Sequence, residues 1–297
     1  MKLSRKGYIF LLISTITCCK PSQVEPDGVS LPVFASEPAI FPLADNLLSS
    51  ASGITNAFNF ENAVWIHNDH EPQLYLVSNE GRLLRKLPFS GYARDWEDIA
   101  SGPGPENGIH YIYLAETGDN AEIFPEYYIY RFPEPGQNQT QIDHFDTIPF
   151  SYPDGKSYDV ETLLLDPSTR DLYVITKRQL TQASVFKLPY PQKVNEKNIA
   201  ELVASIPYGM LTSGSISSDG GEILLRNYTS IFYWKVRDGE TITVALSRPH
   251  DLRLPYLLEP QGEGISFDKN TGGYFTISEK GYSTEPVKLY YYKKVSN

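Results

Sequence analysis

Five segments of this chain share one layout, and their spacing is what most restricts the fold. Each opens with a small or acidic residue ahead of an apolar one: Ser52-Gly53-Ile54, Glu97-Asp98-Ile99, Glu161-Thr162-Leu163, Ser215-Ile216-Ser217 and Glu263-Gly264-Ile265. Each continues into an apolar run that ends in polar residues: His67-Asn68-Asp69, Glu116-Thr117-Gly118-Asp119, Thr176-Lys177-Arg178, Arg226-Asn227-Tyr228 and Ser278-Glu279-Lys280. An aromatic or aliphatic stripe follows, such as YIYRF at 128–132 or IFYWKV at 231–236. Counted at 54, 99, 163, 216 and 265, the openings are 45, 64, 53 and 49 residues apart. Four short antiparallel strands with their turns need about 40–50 residues, the unit of a β-propeller blade.

The local pattern agrees. The runs are rich in Tyr, Ile, Val, Leu and Phe, alternate with period two, and are bounded by Gly, Pro, Asn and Asp, as strands are. No long stretch carries a 3.6-residue apolar period, and only 195–204 suggests a helical turn. The reading is an all-β chain: a single propeller of five blades, or six if the 64-residue step hides an irregular one, occupying 48–297. Two β-sandwich domains would use the same strands, but five like units without a linker favour one ring. Residues 31–48 can return to supply a fourth strand to the last unit and close the ring, removing an exposed edge.

At DWEDIA (95–100), AETGDN (115–120) and YRFPEP (130–135) the chain resembles a bacterial propeller family of secreted or lipid-anchored proteins, mostly of unassigned function. WIHNDH (65–70), SGSISSDGGEILLRNY (213–228) and EPQGEGISF (259–267) extend the likeness over about residues 50–295. It is distantly similar to the esterase-like domain found beside phytases and to lactonase-like or calcium-binding propellers. The resemblance implies the fold and hands over no catalytic set.

The amino terminus sets the expected location. Lys2, Arg5 and Lys6 precede an apolar run at 7–17, too short to span a bilayer but suited to a secretory signal. Cys18 and Cys19 follow, and the arrangement resembles a lipoprotein signal and lipobox spanning 1–19, with Cys19 (alternatively Cys18) as the acylated residue that becomes the first of the mature chain. Pro-rich 20–47 then reads as a spacer and ring-closing strand. The expectation is a lipoprotein of the bacterial cell envelope, anchored in a membrane by acyl chains such as palmitate. With no cysteine after position 19, disulfides are excluded. A net charge of −10 argues against nucleic acid as a partner.

In a propeller the first strand of each blade lines the central channel, so the openings meet at one mouth. That places Glu97, Asp98, Glu161 and Glu263 as candidate metal ligands. It places Asn68, Asp69, Glu116, Asp119, Lys177, Arg226 and Glu279 around a ligand pocket. Crowded carboxylates either keep protons or take up a cation, and an all-oxygen set suits Ca²⁺. The competing reading is that each acid binds backbone N–H groups of a neighbouring blade. Lys177 and Arg226 could pair with Glu161 or Glu116, or grip an anionic ligand. His67 and His70, three apart on a strand, point to opposite faces and make a poor zinc pair. No Gly-x-Ser-x-Gly elbow and no cysteine nucleophile appear in the folded body. Function is therefore expected to be binding of a cation and of a small-molecule ligand or another envelope protein. The alternatives are a metal-dependent hydrolase of an ester, lactone or phosphoester, and a structural interaction module.

Overall fold

In each blade of this chain a strand buried on both faces is flanked by two more, so apolar residues alternate between two neighbouring cores. The computed structural model describes residues 30–43 and 48–296. The chain divides into Met1–Leu31 and Pro32–Asn297. The expected signal segment, Cys18, Cys19 and the first part of the spacer lie outside the described residues.

Two short strands come first, β1 (Val33–Phe34) and β2 (Ala39–Pro42). Blade 1 is β3 (Ala51–Asn56), β4 (Ala63–Asn68), β5 (Gln73–Ser78) and β6 (Leu83–Pro88). Blade 2 is β7 (Trp96–Pro103), β8 (His110–Glu116), β9 (Tyr127–Pro133) and β10 (Asp146–Ser151). Blade 3 is β11 (Val160–Leu165), β12 (Leu172–Thr176) and β13 (Ala183–Leu188), then, after β14 (Asn198–Ile199), β15 (Glu201–Ile206). Blade 4 is β16 (Leu211–Ile216), β17 (Glu222–Asn227) and β18 (Ile231–Lys235), then, after a one-turn helix α1 (Ile242–Leu246), β19 (Leu252–Arg253). Blade 5 is β20 (Gln261–Phe267), β21 (Tyr274–Glu279) and β22 (Lys288–Tyr292), and its fourth strand is β2 from the other end of the chain. The last strand, β23 (Lys294–Ser296), pairs with β1.

The inner strands β3, β7, β11, β16 and β20 each touch the next, and β20 touches β3, so five blades form a closed ring. Apolar layers fill the wedges. On β8, Tyr111, Tyr113 and Ala115 pack toward blade 3, while Ile112 and Leu114 pack toward blade 1. A strand buried on both faces reads as a nearly continuous apolar run, and this one does. Between blades 4 and 5 the seam is aromatic: Phe34 meets Tyr233 and Tyr274 edge-on, and Tyr274 stacks on Tyr292.

Three sequence expectations need correction. The long second step holds no sixth blade; its length goes into the loops at 117–126 and 134–145. Residues 195–204 make strands, not a helical turn. β14 runs parallel to β10 of blade 2, and the Asn198 amide donates to Pro149 O, so this loop caps its neighbour's edge. In blade 4 the inner strand is set two residues earlier than the repeat suggested, because Gly214 pairs with Leu225 where Ile99 pairs with Leu114. The true opening is Thr212-Ser213-Gly214. A shift of two leaves every side chain on its own face, so periodicity cannot detect it.

All five inner strands are irregular at the same place. The register slips between Ala51 and Ile54, Trp96 and Ile99, Val160 and Thr162, Leu211 and Ser213, and Gly262 and Ile265. A β-bulge bends a strand and re-aims its side chains. Ser52, Glu97, Glu161, Thr212 and Glu263 are the bulged residues, and they ring the axis.

Candidate functional site: an acidic well at the mouth

Two layers of polar side chains result from these bulges. The deeper layer is a lock. Asp98, wholly buried, accepts from Ile99 N (3.0 Å) and Ser213 Oγ (3.0 Å) on one oxygen and from Leu163 N (2.9 Å) and Gly214 N (3.4 Å) on the other. One blade-2 carboxylate thus holds blades 3 and 4. Ser213 Oγ in turn accepts from Ile265 N of blade 5 (3.1 Å). Ser52 Oγ donates to Glu97 O (2.6 Å), and Thr212 Oγ1 lies 3.1 Å from both Gly262 O and Glu263 O. Asp98 therefore stands apart from the other three acids of its group, with both oxygens engaged by the ring.

The outer layer is the well. Glu97, Glu161 and Glu263 stand at equivalent bulge positions of blades 2, 3 and 5, all buried. One oxygen each of Glu97, Glu161 and Asp159 lie within 4.8 Å of one another. Lys177, at the end of β12, bonds Glu161 Oε1, and its ammonium lies 5.3 Å from the Tyr228 ring centre. Glu161 Oε2 is buried and makes no hydrogen bond. The Glu97 carboxylate makes none among the described residues. Gln261 donates to Glu263 Oε1 (3.1 Å). Gly118 makes room for this crowding: a Cβ there would run into the carboxylates of Glu97 and Asp95.

The electrostatics follow from that geometry. Two carboxylates about 4 Å apart repel by about 4 kcal/mol at an effective dielectric constant of about 20. Burial first, then the neighbouring acids Glu161 and Asp95, hold the Glu97 carboxyl well above the usual range. Burial does the same to Glu161 against the pull of Lys177. Glu263 is pushed up to about 7, again chiefly by burial. Burial lowers the Lys177 ammonium, and Glu161 and Glu263 more than offset it, so Lys177 stays charged. Glu279, half-buried at the end of β21, is raised by burial and then by Asp69.

Other candidates from the sequence serve the frame. Arg226 is fully buried; it pairs with buried Glu259 at 3.1 Å, donates to Gly264 O, Ile277 O and Tyr256 Oη, and so joins blade 4 to blade 5. Glu116 accepts from the backbone N–H groups of Arg94 (2.9 Å) and Asp95 (3.1 Å) and pairs with Arg94, not with Arg226. Asp119 Oδ2 accepts from Ile123 N, Phe124 N and Tyr127 Oη, folding the 117–126 loop back on itself. Asn68 donates to Glu71 (2.9 Å). Asp69 lies at the rim with His70 and Asp95. His67 is buried edge-on against Trp96, while His70 is largely exposed and contacts Arg94 O through Nδ1 at 2.8 Å. The two histidines point to separate places.

Sequence reasoning passed over Asp95 and Asp159 as site residues. Asp159 is wholly buried, accepts from Asp119 N (2.8 Å) and pairs with Arg178 Nε at 2.7 Å. A signal existed: Asp95-Trp96-Glu97, Asp159-Val160-Glu161 and Gln261-Gly262-Glu263 place a second polar residue two positions before each glutamate.

No protein-family model matches the chain, and no curated protein matches it. Among solved structures it is similar to the PQQ-bound form of an aldose sugar dehydrogenase from Streptomyces coelicolor. The sequences are 11% identical, the match covers 88% of this chain and 99% of that one, and the TM-score is 0.47. The chain itself forms a five-bladed β-propeller.

Proposed function

We propose that this propeller is a binding protein whose mouth takes up a divalent cation, Ca²⁺ being the best fit, together with a small ligand. The observation that carries this is Glu161: one oxygen sits on Lys177, the other is buried and unbonded, and the carboxylate has an oxygen within 4.8 Å of oxygens of Glu97 and Asp159. A hard cation accepts several carboxylate oxygens at once and removes the repulsion that otherwise keeps them protonated. An oxygen-only set excludes the sulfur and imidazole ligands that favour zinc.

Charge selects the second ligand as well. Around the well, acidic side chains outnumber Lys177 and Arg178, so a phosphoester would bring negative charge into a negative site. Binding of a neutral or cationic ligand agrees with this balance better than hydrolysis of a phosphoester does. The lipid tether at Cys19 or Cys18 belongs to the same proposal and is read by mass spectrometry of the mature amino terminus.

The test is calorimetric titration of the full chain with CaCl₂ and MgCl₂, beside Glu161→Gln and Glu97→Gln. Saturable binding of one Ca²⁺ that both variants lose is the expected result. Binding that survives both substitutions, or no binding to the wild type, removes the proposal.

A further inference from the structure

Around the well the chain exposes apolar side chains. Among the described residues the five most exposed large hydrophobic side chains are Tyr92, Ile123, Leu180, Leu258 and Tyr282, from 66% to 108% exposed. All five lie in loops that open on the mouth. Tyr92 precedes β7, Ile123 joins β8 to β9, Leu180 joins β12 to β13, Leu258 precedes β20, and Tyr282 joins β21 to β22. Those are the loops at the end where the bulged glutamates sit. Single exposed hydrophobics are ordinary, but a set confined to one face and rimming a polar centre marks an interaction surface.

The rim is held in place. Trp96 Nε1 donates to Tyr92 O (3.1 Å), and Ile123 N donates to Asp119. Leu257 N donates to Tyr292 Oη (2.7 Å), and the turn carrying Tyr282 is closed by Ser283 N to Lys280 O (2.9 Å). A backbone fixed before binding loses less entropy when a partner arrives.

We infer that this face docks a protein partner through a basic side chain flanked by apolar ones, the basic group entering the carboxylate well and the apolar residues covering the rim. Charge complementarity chooses the occupant. A second copy of this chain, mouth to mouth, would set two acidic wells against each other. An anionic bilayer is repelled for the same reason, on a chain of net charge −10. A lysine or arginine compensates Glu97 and Glu161, and an apolar collar excludes water and strengthens that pairing. The inference rests on the same well as the cation site, and it makes Ca²⁺ and the basic side chain competitors.

The test pans the full-length chain against a phage library of random dodecapeptides and measures the enriched peptides by fluorescence anisotropy. A quadruple rim variant (Tyr92→Ser, Leu180→Ser, Leu258→Ser, Tyr282→Ser) is measured beside it, and both proteins are also sedimented with vesicles rich in phosphatidylglycerol. Peptides carrying Lys or Arg beside aromatic or aliphatic residues are expected, with affinity lowered about tenfold or more in the rim variant and competed by Ca²⁺. The rim variant should keep the wild-type urea midpoint, which shows that it folds, and any Ca²⁺ titration the wild type gives. No enrichment, enrichment of acidic peptides, equal binding to the rim variant, or rim-dependent binding to vesicles alone overturns the inference. Rim-dependent peptide binding by a protein that takes up no Ca²⁺ upholds it and removes only the metal proposal.

Discussion

Ser213 Oγ donates to Asp98 at 3.0 Å, although blade 3 lies between the strands that carry them. The contact crosses the axis, so the ring is closed through its centre as well as around its circumference. Asp98 lies within the bulge of β7 and Ser213 directly follows that of β16, where the bend re-aims the side chains.

Removing that carboxylate should be costly. Asp98→Ala leaves the N–H groups of Ile99, Leu163 and Gly214 and the Ser213 hydroxyl without their acceptor. At about 1–3 kcal/mol per buried orphaned group, we expect a loss of at least about 3 kcal/mol. Urea denaturation measures it, and a variant within about 1 kcal/mol of wild type would contradict the assigned role.

The Arg226–Glu259 pair predicts a different pattern. Both side chains are fully buried. Arg226→Met strands a buried carboxylate and should cost about 3–5 kcal/mol, whereas the Arg226→Met/Glu259→Met double variant should recover a large part of it. Denaturant midpoints of the two singles and the double decide this. Equal losses in single and double variants would mean the frame depends on hydrogen bonds to Gly264 O and Ile277 O instead.

Cation uptake should be pH-dependent. Glu263 is raised from 4.5 to about 7, and Glu97 and Glu161 are raised too, all chiefly by burial. A cation must displace those protons, so Ca²⁺ affinity should fall by about tenfold or more between about pH 8 and pH 6. Without the cation, the contribution of Glu263 to stability is complete below 4.5 and lost as pH rises through about 7. Calorimetry in buffers of different ionisation enthalpy reads the proton release directly, and a pH-independent affinity would refute it.

His67 works in the opposite sense. Burial lowers its imidazole from 6.5 to about 4. The folded state stays neutral while the unfolded chain gains a proton, so this stability is present above 6.5 and lost as pH falls toward 4, about 3 kcal/mol in all. His67→Gln should flatten the acid limb of the stability profile. An unchanged limb would place the acid sensitivity elsewhere.

Gly118→Ala should disturb the well more than the fold. Its Cβ would meet Glu97 and Asp95, side chains able to swing away at some cost. We expect Ca²⁺ affinity to drop about tenfold while stability changes by about 1–2 kcal/mol. A stability loss with intact binding would reverse that assignment.

Spacing and alternation determined a good deal from the sequence alone. They decided the all-β class and the blade as the unit, because four short strands with their turns set the least length of each step and only loops extend it, as in the 64-residue second step. They also brought Glu97, Glu161 and Glu263 to one mouth, since equivalent positions of a ring converge. The tertiary structure decided the rest. Whether Asp98 and Arg226 lock the frame or face a ligand depends on donors from other blades that lie 65 to 116 residues from Asp98 and on acceptors that lie 30 to 51 residues from Arg226, which no local pattern encodes. The blade-4 offset escaped notice because a two-residue slip preserves the face. Glu161 and Asp98 are both acids at bulged openings, yet four donors meet one and an unbonded oxygen remains on the other; burial and partner geometry, absent from a string of letters, separate the lock from the site.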